Sequence, residues 1–382
     1  MSRFFRISVI LSWVICTISA MGQSFQSAEH CRDCHSGAYA EWKVSRHSVS
    51  TAAKNPLYSA MLQWAKRTGT DELAEQCRKC HEPVSTFNLT SGKEQQITQE
   101  GVTCDVCHAT KLSGKGKERW YEPTLSNAKL GPIKDAVSSE HACEYSPVHE
   151  KAEFCLTCHG AAQTPSGIGF CSTEDEWMAS PFAKKKVTCQ DCHMPATEGK
   201  AAPLGKVRDK IHSHAFYGGY SKTLLHNCAE VKLSVSGEGQ IKKVCVQVTN
   251  QTAGHALPTG SPMRMVVLTL VAKDSLQQPV WKNWYVNPLE EDTQAVFMRL
   301  LEDKNGRAPV PPWEAARQRF DQRLLPDKPV KLEYEISEAT AVAVEATLSY
   351  LLAPPSLIAK LGITEEIYST LKTITTAIVS LK

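Results

Sequence analysis

The chain has 382 residues, 42% of them hydrophobic and 22% charged, with 15 Cys, 13 His and a formal net charge of +3. This composition excludes a largely disordered, collagen-like or coiled-coil chain, and so weak a field gives no footing for a nucleic-acid partner. Cysteine is too sparse for a small disulfide scaffold and too rich for an ordinary cytosolic enzyme, so the placement of the cysteines decides the class.

The N-terminus carries Arg3 and Arg6, then an apolar run from Ile7 to Ala20, then a small-x-small site at Ala20 and Gly22. The pattern predicts a signal peptide over 1–22, because the apolar run falls short of the roughly 20 residues that cross a bilayer. The expected location is the periplasm, or the cell surface or exterior, with no stable membrane span.

Ten cysteines then fall into five C-x-x-C-H units: Cys31/Cys34/His35, Cys77/Cys80/His81, Cys104/Cys107/His108, Cys155/Cys158/His159 and Cys189/Cys192/His193. Two thiols three residues apart on a tight turn can reach both vinyl groups of one haem, and the adjacent His then faces the iron. Paired C-x-x-C units also build zinc sites, but zinc does not require His directly after the second Cys. Chance placement of His at all five positions has odds on the order of 10⁻⁷ given the overall His content. The motifs therefore predict five covalent c-type haems with these five histidines as proximal ligands.

Eight histidines lie outside the motifs. His47, His149, His212, His214, His141 and His226 are candidate distal ligands, all within the part of the chain that holds the motifs. His30 abuts a motif and is the weakest. His255 lies beyond them in a Gly/Pro loop, where a structural turn and a ligand crossing over to a haem weigh equally. With Cys16 inside the predicted signal peptide, Cys143, Cys171, Cys228 and Cys245 remain. If Val235 pairs with Ile241 in the predicted hairpin, Cys245 faces Val231 and Cys228 faces Val248, so a Cys228–Cys245 bond fits poorly, and Cys143 with Cys171 is as plausible as two free thiols.

A short repeat runs through the haem-bearing part. Glu41-Trp42-x-x-Ser45 recurs as Glu176-Trp177-x-x-Ser180, and Val102-Thr103-Cys104 recurs as Val187-Thr188-Cys189. The pattern predicts a duplicated haem unit, with His47 of the first copy replaced by Phe182 in the second. Past residue 220 the pattern changes to alternating segments such as Val231 to Val235 and Val244 to Val248, with turn residues between. These predict an all-β, immunoglobulin-like sandwich. The predicted architecture is multidomain: a mostly α and irregular pentahaem domain over 23–222, the sandwich over 223–355, and a short helical tail over 356–382.

The residues around the motifs resemble the multihaem cytochromes of the cytochrome c-554/c-552 family. The resemblance rests on Tyr39, Trp42, Ser45 and His47 behind the first motif, Gly101-Val102-Thr103-Cys104, and Tyr145-Ser146-Pro147-x-His149. It continues through Trp177-x-x-Ser180-Pro181, Cys192-His193-Met194-Pro195 and His212-x-His214-x-Phe216. Gly254-His255-x-x-Pro258-Thr259-Gly260 resembles a segment of the β-sandwich that some multihaem members carry. The resemblance implies closely spaced haems, mostly bis-His, passing electrons between redox partners such as other multihaem cytochromes or a quinol-linked membrane complex. An electron carrier, rather than a catalyst, is the leading expectation. Two others stand beside it: an oxidoreductase with one open-coordination haem acting on a nitrogen or sulfur oxyanion, and a self-assembling subunit of a conductive filament.

Overall fold

A computed structural model describes residues 25–87, 97–124, 126–226, 228–237 and 239–381. The predicted signal peptide lies outside the described residues. No helix among them is long and apolar enough to cross a membrane.

Each motif is wound into a helical turn, which puts its two cysteines on one face. The second motif closes the helix Asp71–His81. Thr70 caps its start by accepting from the Leu73 N–H, Asp71 and Glu72 sit in its first turn, and Arg78, Lys79 and His81 sit in its last. This charge order follows the helix dipole. The third and fifth motifs fill the five-residue helices Cys104–His108 and Cys189–His193; the latter starts in a Thr188/Asp191 capping box. The fourth ends the helix Ala152–His159. Between and after the motifs run two-stranded ladders that the sequence pattern did not predict, among them Thr110–Ser113 with Trp120–Pro123 and Ala196–Lys200 with Val207–His212.

The duplicated unit is visible in its bonding. In the first copy the Trp42 indole donates to the Val102 carbonyl, and the Val102 N–H donates to the His47 carbonyl. In the second, Trp177 donates to Val187 and the Val187 N–H donates to Phe182. The residue before each valine is left-handed: Gly101 has φ +73° and Lys186 φ +60°. A Cβ at Gly101 would meet the His47 oxygen at 2.3 Å. Gly101→Ala is therefore expected to cost more than about 1 kcal/mol, whereas Lys186→Gly should gain about 0.5–1 kcal/mol by relieving a strained side chain. Thermal unfolding of the two variants checks both signs.

The second half consists of two antiparallel sheets packed face to face. One has the order Val330–Ile336, Lys242–Asn250, Ala229–Ser236; the other runs Pro279–Lys282, Met265–Lys273, Ala343–Leu351, Lys372–Ser380. Val244, Val246 and Val248 of the first sheet share one core with Val266, Leu268, Leu270, Val344, Ala346 and Leu348 of the second. Alternate residues of Lys242–Asn250 are buried, as a half-buried strand requires.

Two expectations are corrected. The helical tail over 356–382 holds only the short helices Pro355–Lys360 and Glu366–Ser369 before the chain enters the strand Lys372–Ser380, paired to Ala343–Leu351. The β-branched run Thr373-Ile374-Thr375-Thr376 prefers a pleated surface, and Ile374 reaches the core at 0% exposure. The hairpin register also differs: Val244 pairs with Val235, so Cys245 faces Ser234. Cys228 is buried, and the four cysteines outside the motifs are free thiols.

The two halves share side chains. Trp64 joins the sandwich core and donates to Glu314, while Tyr350 presses so closely on Gly219 that a Cβ there would meet its hydroxyl at 2.6 Å.

Candidate haem-binding site

The histidines are arranged in facing pairs. The rings of His35 and His141 are 6.3 Å apart between centroids, and the pairs His47/His159, His108/His214 and His193/His255 are each 6.2 Å apart. Two metal–imidazole bonds of about 2 Å each, with a ring radius at either end, make about 6 Å. This spacing suits one iron held axially between two imidazoles. The donors fit a haem in a second respect, since the two cysteines of each motif lie on the turn that leads into its histidine.

Ring orientation is set by hydrogen bonds from the far nitrogen. Nδ1 of His35 bonds to the Ala201 carbonyl at 2.8 Å, that of His108 to Leu130 at 2.6 Å, and that of His193 to Tyr217. Opposite them, Nδ1 of His141, His214 and His255 bonds to the carbonyls of Ala142, His212 and Ala256 at 2.9–3.0 Å. A carbonyl on one nitrogen fixes the tautomer that leaves the other free to ligate. His47 differs: its Nδ1 is buried with no partner, an orphaned polar atom pointing to a missing group. Burial drives the imidazoles of His47 and His214 down to about 4 and that of His159 to about 3. These rings are therefore neutral near pH 7, the form that binds a metal.

The other candidates sit elsewhere. Of the His212/His214 pair only His214 has a motif ring facing it among the described residues; His212 bonds through Nδ1 to the Met194 carbonyl at 2.6 Å. His149 also lies against His108, with ring centroids 5.6 Å apart; its Nε2 bonds to the Cys107 carbonyl at 2.9 Å, and its Nδ1, like that of His47, is buried without a partner. His226 is exposed. His255, which the sequence left balanced between turn and ligand, comes from the sandwich to stand opposite the fifth motif. The second motif has a different neighbour. The Tyr58 ring stacks on His81 at 4.1 Å and 9°, and among the described residues no histidine ring faces it.

The motifs also touch one another. The helix of the first motif packs against that of the third and the helix of the fourth against that of the fifth, and the Cys80 thiol approaches the Cys158 carbonyl at 4.0 Å. Cys107 lies close enough to Cys155 and Cys158 to act on both electrostatically. The five motifs thus form one connected cluster: first, third, fourth and fifth in line, with the second beside the fourth.

These features define a multihaem c-type cytochrome arrangement. Residues 30–109 match the family described as Cytochrome c554 and c-prime. The chain is similar over nearly its whole length to a penta-heme cytochrome c552 from Thermochromatium tepidum, at 25% identity and a TM-score of 0.78, covering 93% of this chain and 99% of that one. Five c-type haems accord with both likenesses and with the five motifs. Beta-glucosidase 3B from Thermotoga neapolitana aligns over 40% of this chain and 16% of its own, at 12% identity and a TM-score of 0.14, too low to carry any argument. No curated protein matches the chain.

Proposed function

We propose that this chain carries electrons between redox proteins of the periplasm or cell surface, through five haems bound at its five motifs. A bound haem supplies a one-electron iron couple, whose potential two imidazole ligands without a methionine hold low. The cysteines Cys31, Cys34, Cys77, Cys80, Cys104, Cys107, Cys155, Cys158, Cys189 and Cys192 anchor the groups. His35/His141, His108/His214, His159/His47 and His193/His255 serve as axial pairs. The observation that carries this reading is the set of four facing ring pairs strung along touching motifs. Its partners are other redox proteins, among them multihaem cytochromes or a quinol-linked membrane complex. Residues 1–22 act as the export signal. A potentiometric titration followed by visible absorption should show five one-electron steps, four of them in the low range expected of bis-imidazole ligation. Fewer steps, or potentials as high as those of His/Met sites, would contradict it.

A second reading is favoured by one observation: His81 faces the ring of Tyr58 where its counterparts face a histidine. In this reading the second motif holds an open position, beside the fourth motif, that could take a small nitrogen or sulfur oxyanion. Nitrite binding and reduction at that single haem of the native protein supports it; a haem that takes up carbon monoxide but neither binds nor reduces nitrite argues for the carrier alone.

A further inference from the structure

The Glu-Trp dipeptide that opens each copy of the repeat reaches both sides of one haem site. In the first copy the Trp42 indole holds the Val102 carbonyl at 2.8 Å, two residues before Cys104. Its neighbour Glu41 accepts, through Oε2, the backbone N–H of His214 at 2.6 Å. The His214 ring faces His108, the histidine of that same motif.

The second copy repeats the arrangement at a different site. Trp177 holds the Val187 carbonyl at 3.0 Å, two residues before Cys189. Glu176 Oε2 accepts the N–H of Ala256 at 3.2 Å and the Thr259 hydroxyl at 2.6 Å. His255, next to Ala256, faces His193 of that motif. The segments so held are unrelated: His214 follows a ladder in the first half, and His255 sits in a loop of the sandwich. Duplication of the first half cannot by itself account for the match, because the two distal segments are not copies of each other.

We propose that Glu41 and Glu176 are positioning residues, each Glu-Trp pair tying the proximal motif and the distal histidine of one haem to a single short helix. This rests on the axial pairs proposed above. The tryptophan fixes the helix against the motif. The carboxylate, one residue away, fixes the backbone of the opposite segment by a charge-assisted bond, stronger than a neutral one. The distance between the two axial rings is then set by one rigid turn instead of by two independent loops. A carboxylate-to-amide bond of this kind is expected to shift the ratio of six- to five-coordinate iron by roughly 10- to 100-fold.

The test is electron paramagnetic resonance of the oxidised, fully haem-loaded protein. His214→Ala and His255→Ala first identify the low-spin signal of each site. Glu41→Ala should then diminish the signal that His214→Ala removes and leave the other intact, and Glu176→Ala should do the converse. Where an alanine variant fails to load haem, Glu41→Gln and Glu176→Gln keep the side-chain shape and an acceptor oxygen but drop the charge. They should shift the g values of the same single signal. Unchanged signals in the glutamate variants, with both histidine variants behaving as assigned, overturn the clamp and leave the ligands standing. If the histidine variants themselves remove no signal, the axial assignment fails, and the clamp with it.

Discussion

Replacing Arg323 with alanine is expected to cost about 3–5 kcal/mol of folding stability, because it strips a buried carboxylate of its counter-charge. The Arg323 side chain is 6% exposed and pairs with Glu176, itself 7% exposed, and with Asp321. Asp321 is held in turn by Arg299, whose guanidinium also donates to the Gly169 carbonyl at 2.8 Å and to Ser172. This network is the polar seam between the haem-bearing half and the sandwich. Burial raises the carboxyl of Glu176, but Arg323, Ser172 and Thr259 pull it down further, leaving it below its ordinary 4.5. A carboxyl depressed in the folded state contributes stability above its unfolded pKa and loses that contribution as pH falls through the folded value. The native protein should therefore weaken as pH drops below about 4.5 by this route. Arg323→Ala should be less stable at neutral pH and should lose less on acidification. Denaturant unfolding at pH 7 and near pH 4 checks both; equal stability of variant and native protein at pH 7 would remove the seam from the account.

Replacing His47 with alanine is expected to turn one low-spin haem into a high-spin haem that binds carbon monoxide. His47 lies 6.2 Å from His159, and Phe216 packs on its ring at 4.3 Å, so truncation removes the imidazole that faces His159. Added imidazole should refill the space and restore the low-spin spectrum. His149→Ala makes the contrasting case. His214 already faces His108, and the Nε2 of His149 serves the Cys107 carbonyl, so the expected effect is lower stability without a change of spin state. Carbon monoxide difference spectra of the two variants separate a ligand from a packing histidine.

How much of this was legible in the sequence depended on whether the constraint was local. Covalent haem attachment imposes a five-residue spacing, so the motifs can be read directly. The Glu-Trp and Val-Thr-Cys repeats also survive as sequence because each is a single turn. The partners across each site are not local. His141 faces His35 from over a hundred residues away, and nothing in the spacing distinguishes it from His149, which lies against His108 beside His214. His255 was harder still, since its ring reaches the fifth motif from a loop of the other half, held by Glu176. Only the Gly-His-x-x-Pro-Thr-Gly segment hinted at it. The last strand, Lys372–Ser380, was hidden for a related reason: Leu357 to Leu381 reads as amphipathic helix, and the strand's identity comes from pairing with Ala343–Leu351. The hairpin register was set by a wider turn around Gly237 than the tight loop the alternation suggested.

The central claim is that four motif histidines share an iron with a second histidine while His81 does not. Spin quantitation by electron paramagnetic resonance of the oxidised native protein, referred to its measured haem content, tests this most directly. The account predicts four low-spin haems and one high-spin haem, the latter lost as a separate signal when the second motif is removed by Cys77→Ser with Cys80→Ser. Five low-spin haems, or more than one high-spin haem, would contradict it.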